Sequence, residues 1–123
     1  MRDFKKLKVW QKAHNFVLEI YKVTQNFPQK ERYGIINQLR RAAVGIANNI
    51  AEGCGRKTKY ELYNFLNIAM GSASETEYLL LLSKDLGYLE NDFKAINNNL
   101  IVIKKMLNVF MQKIEEDKNN LPD

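Results

Sequence analysis

Two residue types that often carry chemistry occur once each in this chain of 123 residues, as His14 and Cys54. A site built from histidine and cysteine needs several ligands to hold a metal, and a nucleophilic cysteine needs a base to activate its thiol. His14 has no acidic residue three or four positions away, and Cys54 lies between glycines with no histidine nearby. We therefore predict that His14 is a surface or boundary residue and that neither residue forms a metal or catalytic site.

Two small-residue segments resemble chemical motifs only superficially. The segment Gly53-Cys54-Gly55-Arg56-Lys57-Thr58 lacks the G-x-x-x-x-G-K-S/T spacing of a phosphate loop. The segment Gly71-Ser72-Ala73-Ser74 falls inside a predicted helix, whereas a nucleophile elbow needs a strand-to-helix turn. We interpret the first as a helix stop followed by a cap, and the second as a place where helices cross closely. Glu75 and Glu77 lack the Glu-x-x-His pairs of di-iron bundles, so we predict no catalytic residue, no metal and no cofactor.

A polar stripe on the predicted second helix has two interpretations. Its members recur at spacings of three and four and so share one face: Gln38, Arg41, Gly45, Asn48 and Glu52. Antiparallel pairing places Arg40 and Arg41 within one turn of Ser74 and Glu75 on the next helix. We expect an arginine–glutamate pair that fixes the register of these helices, or a subunit contact. The alternative is an arginine that binds phosphate.

Basic residues form two groups near the start of the chain and after the second helix. The groups are Arg2, Lys5, Lys6, Lys8 and Lys12, and then Arg56, Lys57 and Lys59. Lys5, Lys8 and Lys12 are at helical spacing and predict one exposed face. Such a face is either simply solvated or makes sequence-independent phosphate contacts. No RRM, KH, zinc-finger or helix-turn-helix signature accompanies it.

The net charge of +5 conceals an asymmetry between the two halves of the chain. Residues 1–60 carry 13 Lys and Arg against 4 Asp and Glu, a charge of +9, and residues 61–123 carry 6 against 10, a charge of −4. Such asymmetry indicates an anionic partner or electrostatic matching between copies of the chain. No run is long and apolar enough for a membrane span, and the start lacks the apolar stretch of a signal peptide, so we expect a cytoplasmic protein with no membrane partner.

Apolar residues spaced by three and four predict four helices, at about residues 5–27, 34–52, 59–86 and 92–117, followed by a charged tail at 118–123. Phe27-Pro28 ends the first helix, and Gly53 with Gly55 ends the second. Thr58 and Glu61 predict a capping box, and Gly87 a left-handed stop after the third helix.

The apolar stripes of these helices predict the core. The expected stripes are Trp10, Ala13, Val17, Ile20, Thr24 and Phe27, with Val9, Phe16 and Val23 as a flanking stripe; Ile35, Leu39, Ala42, Ile46 and Ile50; Leu62, Phe65, Ala69, Ser72, Thr76, Leu79, Ser83 and Leu86; and Phe93, Ile96, Leu100, Ile103, Leu107, Phe110 and Ile114. Small residues on the second helix favour a close approach to a neighbour. Long helices with short connections predict one all-α domain over 1–123, an up-down-up-down, left-handed four-helix bundle.

An ordered series of motifs over residues 4–115 resembles one known family. The motifs are Leu7-Lys8-Val9-Trp10-Gln11-Lys12-Ala13, Ile20-Tyr21, Phe27-Pro28, Glu31-Arg32-Tyr33-Gly34, Gln38-Leu39-Arg40-Arg41-Ala42-Ala43, Asn49-Ile50-Ala51-Glu52-Gly53, Gly71-Ser72 and Leu86-Gly87-Tyr88. They are similar to the bacterial 23S rRNA intervening-sequence proteins, also called the S23 ribosomal protein family. The resemblance marks Arg41, Asn49, Glu52 and Gly53 as parts of a shared motif.

The resemblance implies a four-helix bundle that assembles into a homopentameric ring. It also implies kinship with the accessory variability proteins of diversity-generating retroelements, similar pentamers with a basic surface that bind nucleic acid and a reverse transcriptase. The chain departs from the family pattern at Cys54 and in Asn97-Asn98-Asn99 of its fourth helix.

Two functions remain open at this point. The first is a non-enzymatic ring that binds structured RNA or RNA–DNA through phosphates, with these candidate residues: Arg2, Lys5, Lys6, Lys8, Lys12, Arg56, Lys57 and Lys59. The second is a protein–protein scaffold in which the basic half of one copy docks on the acidic half of the next. Its structural or interface candidates are Arg40, Arg41, Asn48, Asn49, Glu52, Gly53 and Glu75. An enzyme ranks third, since no catalytic constellation accompanies it.

Overall fold

Four long helices make up most of the computed structural model, which describes residues 2–119 and the side chains as far as Asp117. They are α1 (Lys8–Thr24), α2 (Ile35–Cys54), α3 (Lys59–Asp85) and α4 (Phe93–Asn119). Short 3-10 helices lie before α1, at Phe4–Lys6, and between α1 and α2, at Gln29–Glu31. The described residues contain no β-strand, so this part of the chain is all-α.

The helices close into a bundle in chain order. Each helix packs against the next one, and α4 also packs against α1. Because short connections reverse the direction of the chain at every step, the bundle runs up, down, up, down. The predicted four-helix fold is confirmed, while the left-handed twist stays a prediction. Among the described helices, none is long and apolar enough to cross a membrane.

The helix bounds differ from the sequence prediction mainly at α1. The Asp3 side chain accepts a hydrogen bond from the Lys5 amide and caps the 3-10 turn, and Leu7 is extended, so α1 begins at Lys8 rather than near residue 5. It ends at Thr24, not at residue 27. At the other ends, α2 continues for two residues beyond 52, and α4 includes the first two residues of the predicted tail. The remaining tail, 120–123, lies outside the described residues.

The core is confirmed completely on α2 and shifted on α1 and α3. All five predicted α2 residues are buried. On α1 the buried positions include Val9 and Phe16, while Trp10 and Val17 lie at the boundary. On α3, Leu66 and Ala73 are buried, and Leu86 is 48% exposed. A helical stripe is about 100° wide, so spacing by three and four does not separate a core residue from its immediate neighbour.

Helices α2 and α3 pack closely because glycines of α2 face α3. A Cβ added at Gly53 would lie 2.9 Å from the Phe65 Cβ, and one added at Gly45 would lie 2.9 Å from the Ser72 Oγ. This confirms the close approach expected from small residues, but it corrects the role of Gly53, which lies inside α2 rather than stopping it. Gly71 is exposed with no atom within 4 Å of an added Cβ, so it takes no part in the crossing.

Two predicted helix-end signals are found in the structure. The Glu61 amide donates to the Thr58 Oγ1 at 3.1 Å, as a capping box requires, but the Glu61 carboxylate accepts from the Thr58 hydroxyl rather than from a backbone amide. Gly87 has φ +85°, and the Tyr88 amide donates to the Ser83 carbonyl at 2.9 Å. This bond and the positive φ of Gly87 are those of a Schellman motif, which only a residue tolerant of the left-handed conformation completes without strain.

Candidate nucleic-acid interface

One end of the bundle, here called the basic end, holds the starts of α1 and α3 and the ends of α2 and α4. The Arg2 amide donates to the Cys54 carbonyl at 3.0 Å, and the Lys59 Nζ lies 3.3 Å from the Asp117 Oδ2. These contacts bind the start of the chain to α2 and the start of α3 to α4. The bundle thereby brings together at one end all eight residues predicted as nucleic-acid contacts.

Three of the eight predicted residues already have intramolecular partners. Arg56 lies 3.9 Å from Glu52 and its guanidinium covers the Phe65 ring at 4.8 Å. Lys59 pairs with Asp117, and the Arg2 guanidinium lies 5.4 Å from the centre of the Phe110 ring. Their positive charge is therefore partly offset or held against the bundle.

The other five predicted residues are exposed lysines without an ion pair in the described part of the chain: Lys5, Lys6, Lys8, Lys12 and Lys57. The predicted helical face is corrected in one respect. Lys5 belongs to the 3-10 turn and is separated from α1 by extended Leu7, so the helical spacing holds only for Lys8 and Lys12. An unpaired ammonium on a long flexible side chain is available to an external anion.

The structure adds two lysines of α4 that the sequence analysis missed. Lys105 and Lys113 are exposed and line the same groove as Lys8. They were overlooked because they belong to the half of the chain with a net negative charge. Their spacing of eight residues, a little over two helical turns, was the available signal that they share a face.

Most carboxylates at the basic end are bonded within the bundle. Glu115 accepts a hydrogen bond from the Tyr63 hydroxyl at 2.6 Å, and this bond raises the pKa of Tyr63. Glu61 accepts from Thr58, and Asp117 faces Lys59. Glu116 is exposed at the same end. Of these four carboxylates, Asp117 faces a basic side chain, whereas Glu61 and Glu115 are hydrogen-bonded to neutral hydroxyls and keep their negative charge.

Arg40 does not make the pair expected from the sequence. Its Nε donates to the Thr24 Oγ1 at 2.8 Å, its Nη2 donates to the Tyr21 carbonyl at 3.3 Å, and its guanidinium lies 4.5 Å from the centre of the Tyr21 ring. All these partners belong to α1. The arginine–glutamate pair expected between α2 and α3 is therefore not made by Arg40, because Arg40 lies on the side of α2 that faces α1.

The remaining interface candidates divide into bonded and free side chains. The Asn49 Nδ2 donates to the Gly45 carbonyl at 2.7 Å, within α2. Asn48 lines a groove between α1 and α2. Arg41 and Glu75 are both exposed, and neither forms an ion pair among the described residues.

His14 and Cys54, the two residues first considered for chemistry, have the surroundings of structural residues. His14 is exposed and stacks on Trp10, with ring centroids 5.0 Å apart and an interplanar angle of 6°. This confirms the prediction of a surface histidine. Cys54 is 1% exposed, and burial raises the pKa of its thiol, against the lowering effect of Arg2. A protonated, buried thiol is a poor nucleophile, and the described residues hold no cluster of three potential metal ligands.

Comparisons with known proteins agree with the helical architecture. The model of the family described as 23S rRNA-intervening sequence protein matches residues 5–109. A crystal structure from Bacteroides thetaiotaomicron VPI-5482, described as a protein with unknown function from the S23 ribosomal protein family, has a TM-score of 0.79 and 27% identity to this chain. The match covers 85% of this chain and 95% of that chain. No curated protein matches. Since the family model covers most of its length, the chain belongs to the 23S rRNA-intervening sequence protein family.

Proposed function

We propose that this protein binds structured RNA or RNA–DNA at the basic end, through phosphates and without catalysing a reaction. The observation that supports the proposal is the convergence of basic residues from separate segments, five of them lysines with no ion pair among the described residues. Each lysine that neutralises a phosphate releases condensed counterions, which favours binding.

The unpaired lysines favour recognition of the shape of a nucleic acid over recognition of its base sequence. A lysine ammonium is a point charge without the rigid fork by which arginine reads guanine or grips phosphate. Phosphate contacts position a protein on a nucleic acid but carry no base information. We therefore expect similar affinity for RNA hairpins of different sequence.

Charge reversal at the basic end tests the proposal. The variant Lys5→Glu/Lys8→Glu/Lys12→Glu is compared with a control at the opposite end of the bundle, Lys22→Glu/Lys30→Glu/Lys94→Glu, since all six side chains are exposed. Both triple variants change the net charge equally. Filter binding to an RNA hairpin should show a loss of at least about 100-fold for the first variant and a loss several times smaller for the control, because phosphate contacts are local.

The salt dependence provides a second reading of the same experiment. Affinity of the unaltered protein should fall by powers of ten between about 50 and 200 mM salt, and the log–log slope should decrease by about one for each phosphate that the variant no longer neutralises. Equal retention of RNA by the two triple variants would contradict the assignment of the basic end.

A second function, self-assembly into a homopentameric ring, is supported by apolar residues exposed on two different sides. Between α1 and α2, Trp10, Val17 and Val44 line an open groove. On the outer face of α3, Ile68 is 53% exposed and Tyr78 is 61% exposed. A contact between two different surfaces of one chain is heterologous, and such contacts close into rings when the rotation allows it.

The free charges on these two sides suggest how the contact would be oriented. Arg41 shares a face of α2 with Val44, and Glu75 lies on the outer face of α3 within two turns of Ile68. We infer that Arg41 of one copy pairs with Glu75 of the next, in place of the intramolecular pair that the sequence predicted.

A charge swap tests this contact by sedimentation velocity. Arg41→Glu and Glu75→Arg should each weaken the assembly, and the double variant should restore it, because the pair is then reformed with reversed polarity. Assembly that is unchanged in both single variants would refute the pairing. Assembly that persists at high salt in the unaltered protein would assign the interface chiefly to the apolar residues.

A further inference from the structure

A second groove follows the seam between α1 and α4 at the basic end. It is open to solvent, with a volume of about 340 Å³, and its floor is apolar, formed by Leu7, Val9, Met106, Val109 and Phe110. Val109, one of these floor residues, is 51% exposed. The groove is therefore an apolar surface that the bundle itself does not cover.

Lysines border this apolar floor on both sides. Lys8 comes from the start of α1, and Lys105 and Lys113 come from α4. All three are exposed, none has an ion pair among the described residues, and no carboxylate lines the groove. An occupant must therefore combine an apolar surface with negative charge at its edges.

We propose that this groove binds an amphipathic helix of a partner protein, with aliphatic residues against the floor and Asp or Glu along both edges. The distance from Lys105 to Lys113 along α4 is eight residues, about 12 Å or a little over two turns of helix. A partner helix of two to three turns therefore matches the length of the groove. Seams between two helices are a recurrent docking surface for a third helix.

The composition of the floor favours a protein over a single nucleic-acid strand. Unpaired bases bind by stacking on aromatic faces. Four of the five floor residues are aliphatic or methionine, and the Phe110 ring already lies under the Arg2 guanidinium at 5.4 Å. Methionine, by contrast, adapts readily to the side chains of a docking helix.

The end of α4 offers no suitable occupant from a second copy. The acidic end of α4 carries Glu115 and Asp117, but these are bonded to Tyr63 and Lys59. The apolar residue beside them, Ile114, is 4% exposed and belongs to its own core. The proposal thus concerns a different protein, and it goes beyond the binding of RNA and the assembly of a ring.

The test uses the full chain and a fluorescent helical peptide with leucines on one face and glutamates on both edges. Control peptides replace the glutamates by lysine, or the leucines by serine. Fluorescence anisotropy should show binding of the first peptide only, because both the floor and the rim contribute to the affinity.

Variants of α4 locate the binding. Val109→Glu and, separately, Lys105→Glu/Lys113→Glu should each weaken peptide binding by at least about tenfold. Leu86→Glu is the matched control, since Leu86 is aliphatic and 48% exposed but lies at the opposite end of the bundle. It should bind the peptide as the unaltered chain does. Thermal unfolding of each variant verifies that the fold is retained.

Three outcomes would overturn the inference. They are equal peptide binding by Val109→Glu and Leu86→Glu, displacement of the peptide by a single-stranded oligothymidylate that itself requires Val109, and loss of self-association in Val109→Glu. The second assigns the groove to nucleic acid and the third to another copy. Because the variants lie on α4 and leave Lys5, Lys8 and Lys12 intact, failure here is separate from failure of the proposed RNA site.

Discussion

Replacing Gly53 by alanine is expected to destabilise the bundle, because α2 and α3 leave no space for a methyl group at that position. The added Cβ would lie 2.9 Å from the Phe65 Cβ, 3.0 Å from the Leu62 Cδ1 and 3.3 Å from the Leu62 carbonyl oxygen. A side-chain Cβ and a backbone oxygen do not move unless α3 moves. Overpacking of this kind costs about 1–3 kcal/mol.

The intrinsic preference of alanine for helices acts in the opposite direction. Alanine is better than glycine inside a helix by about 1 kcal/mol, so the net destabilisation expected for Gly53→Ala is about 1 kcal/mol. Gly71→Ala is the matched control, because Gly71 lies inside α3 and has no atom within 4 Å of an added Cβ. It should stabilise the fold by about 0.5–1 kcal/mol.

The difference between these two variants isolates the steric cost, about 1–3 kcal/mol, because both gain the same helix preference. Urea unfolding monitored by far-ultraviolet circular dichroism measures it, provided that the slope of free energy against urea is unchanged. Thermal midpoints should differ by roughly 4 °C for each kcal/mol. Measurements at two protein concentrations separate any contribution from self-association.

Unfolding of Gly53→Ala at the same urea concentration as Gly71→Ala, or at a higher one, would refute the predicted clash at Gly53. Either result would mean that α3 yields to the added methyl group at no measurable cost.

Two further predictions concern polar contacts between elements. Arg40→Ala should reduce the free energy of unfolding by about 1–2 kcal/mol in urea titrations, because it removes the hydrogen bond to buried Thr24 and the guanidinium over the Tyr21 ring. Arg40→Lys should recover less than half of this free energy, since an ammonium lacks the planar fork of a guanidinium. Full recovery by lysine would refute the geometry described for Arg40. The pKa of Tyr88 is raised by its hydrogen bond to Glu31, with further contributions from burial and from the Glu31 charge, so in an absorbance titration Tyr88 should ionise above its usual value of 10. Stability from this bond is present below pH 10 and lost as the pH rises through the raised pKa. Glu31→Gln should reduce the shift, because it removes the Glu31 charge while burial still contributes, and an unchanged titration in that variant would exclude Glu31 as a cause.

The features that sequence predicted correctly are those set within a few residues. The Thr58 cap and the left-handed Gly87 depend on bonds that join positions three to five apart. The predicted buried stripe of α2 was also correct at every position. The bonds at the two helix ends need no partner outside their own segment.

The predictions that were wrong depend on how each helix is rotated about its axis. On α3 the core contains Leu66 and Ala73, next to the predicted Phe65 and Ser72. Both choices satisfy the same spacing, and only packing against α2 and α4 separates them. The same rotation directs Arg40 toward α1 instead of α3.

The amino-acid sequence by itself therefore determined four helices, most of their ends and the excess of basic residues in the first half of the chain. Only the tertiary structure decided that the two basic groups meet at one end, that Lys105 and Lys113 border the same groove as Lys8, and that Arg41 and Glu75 form no ion pair with another described residue. The reason is physical: helix formation and capping are local in sequence, whereas the contacts made by a side chain across the bundle depend on the positions of three other helices.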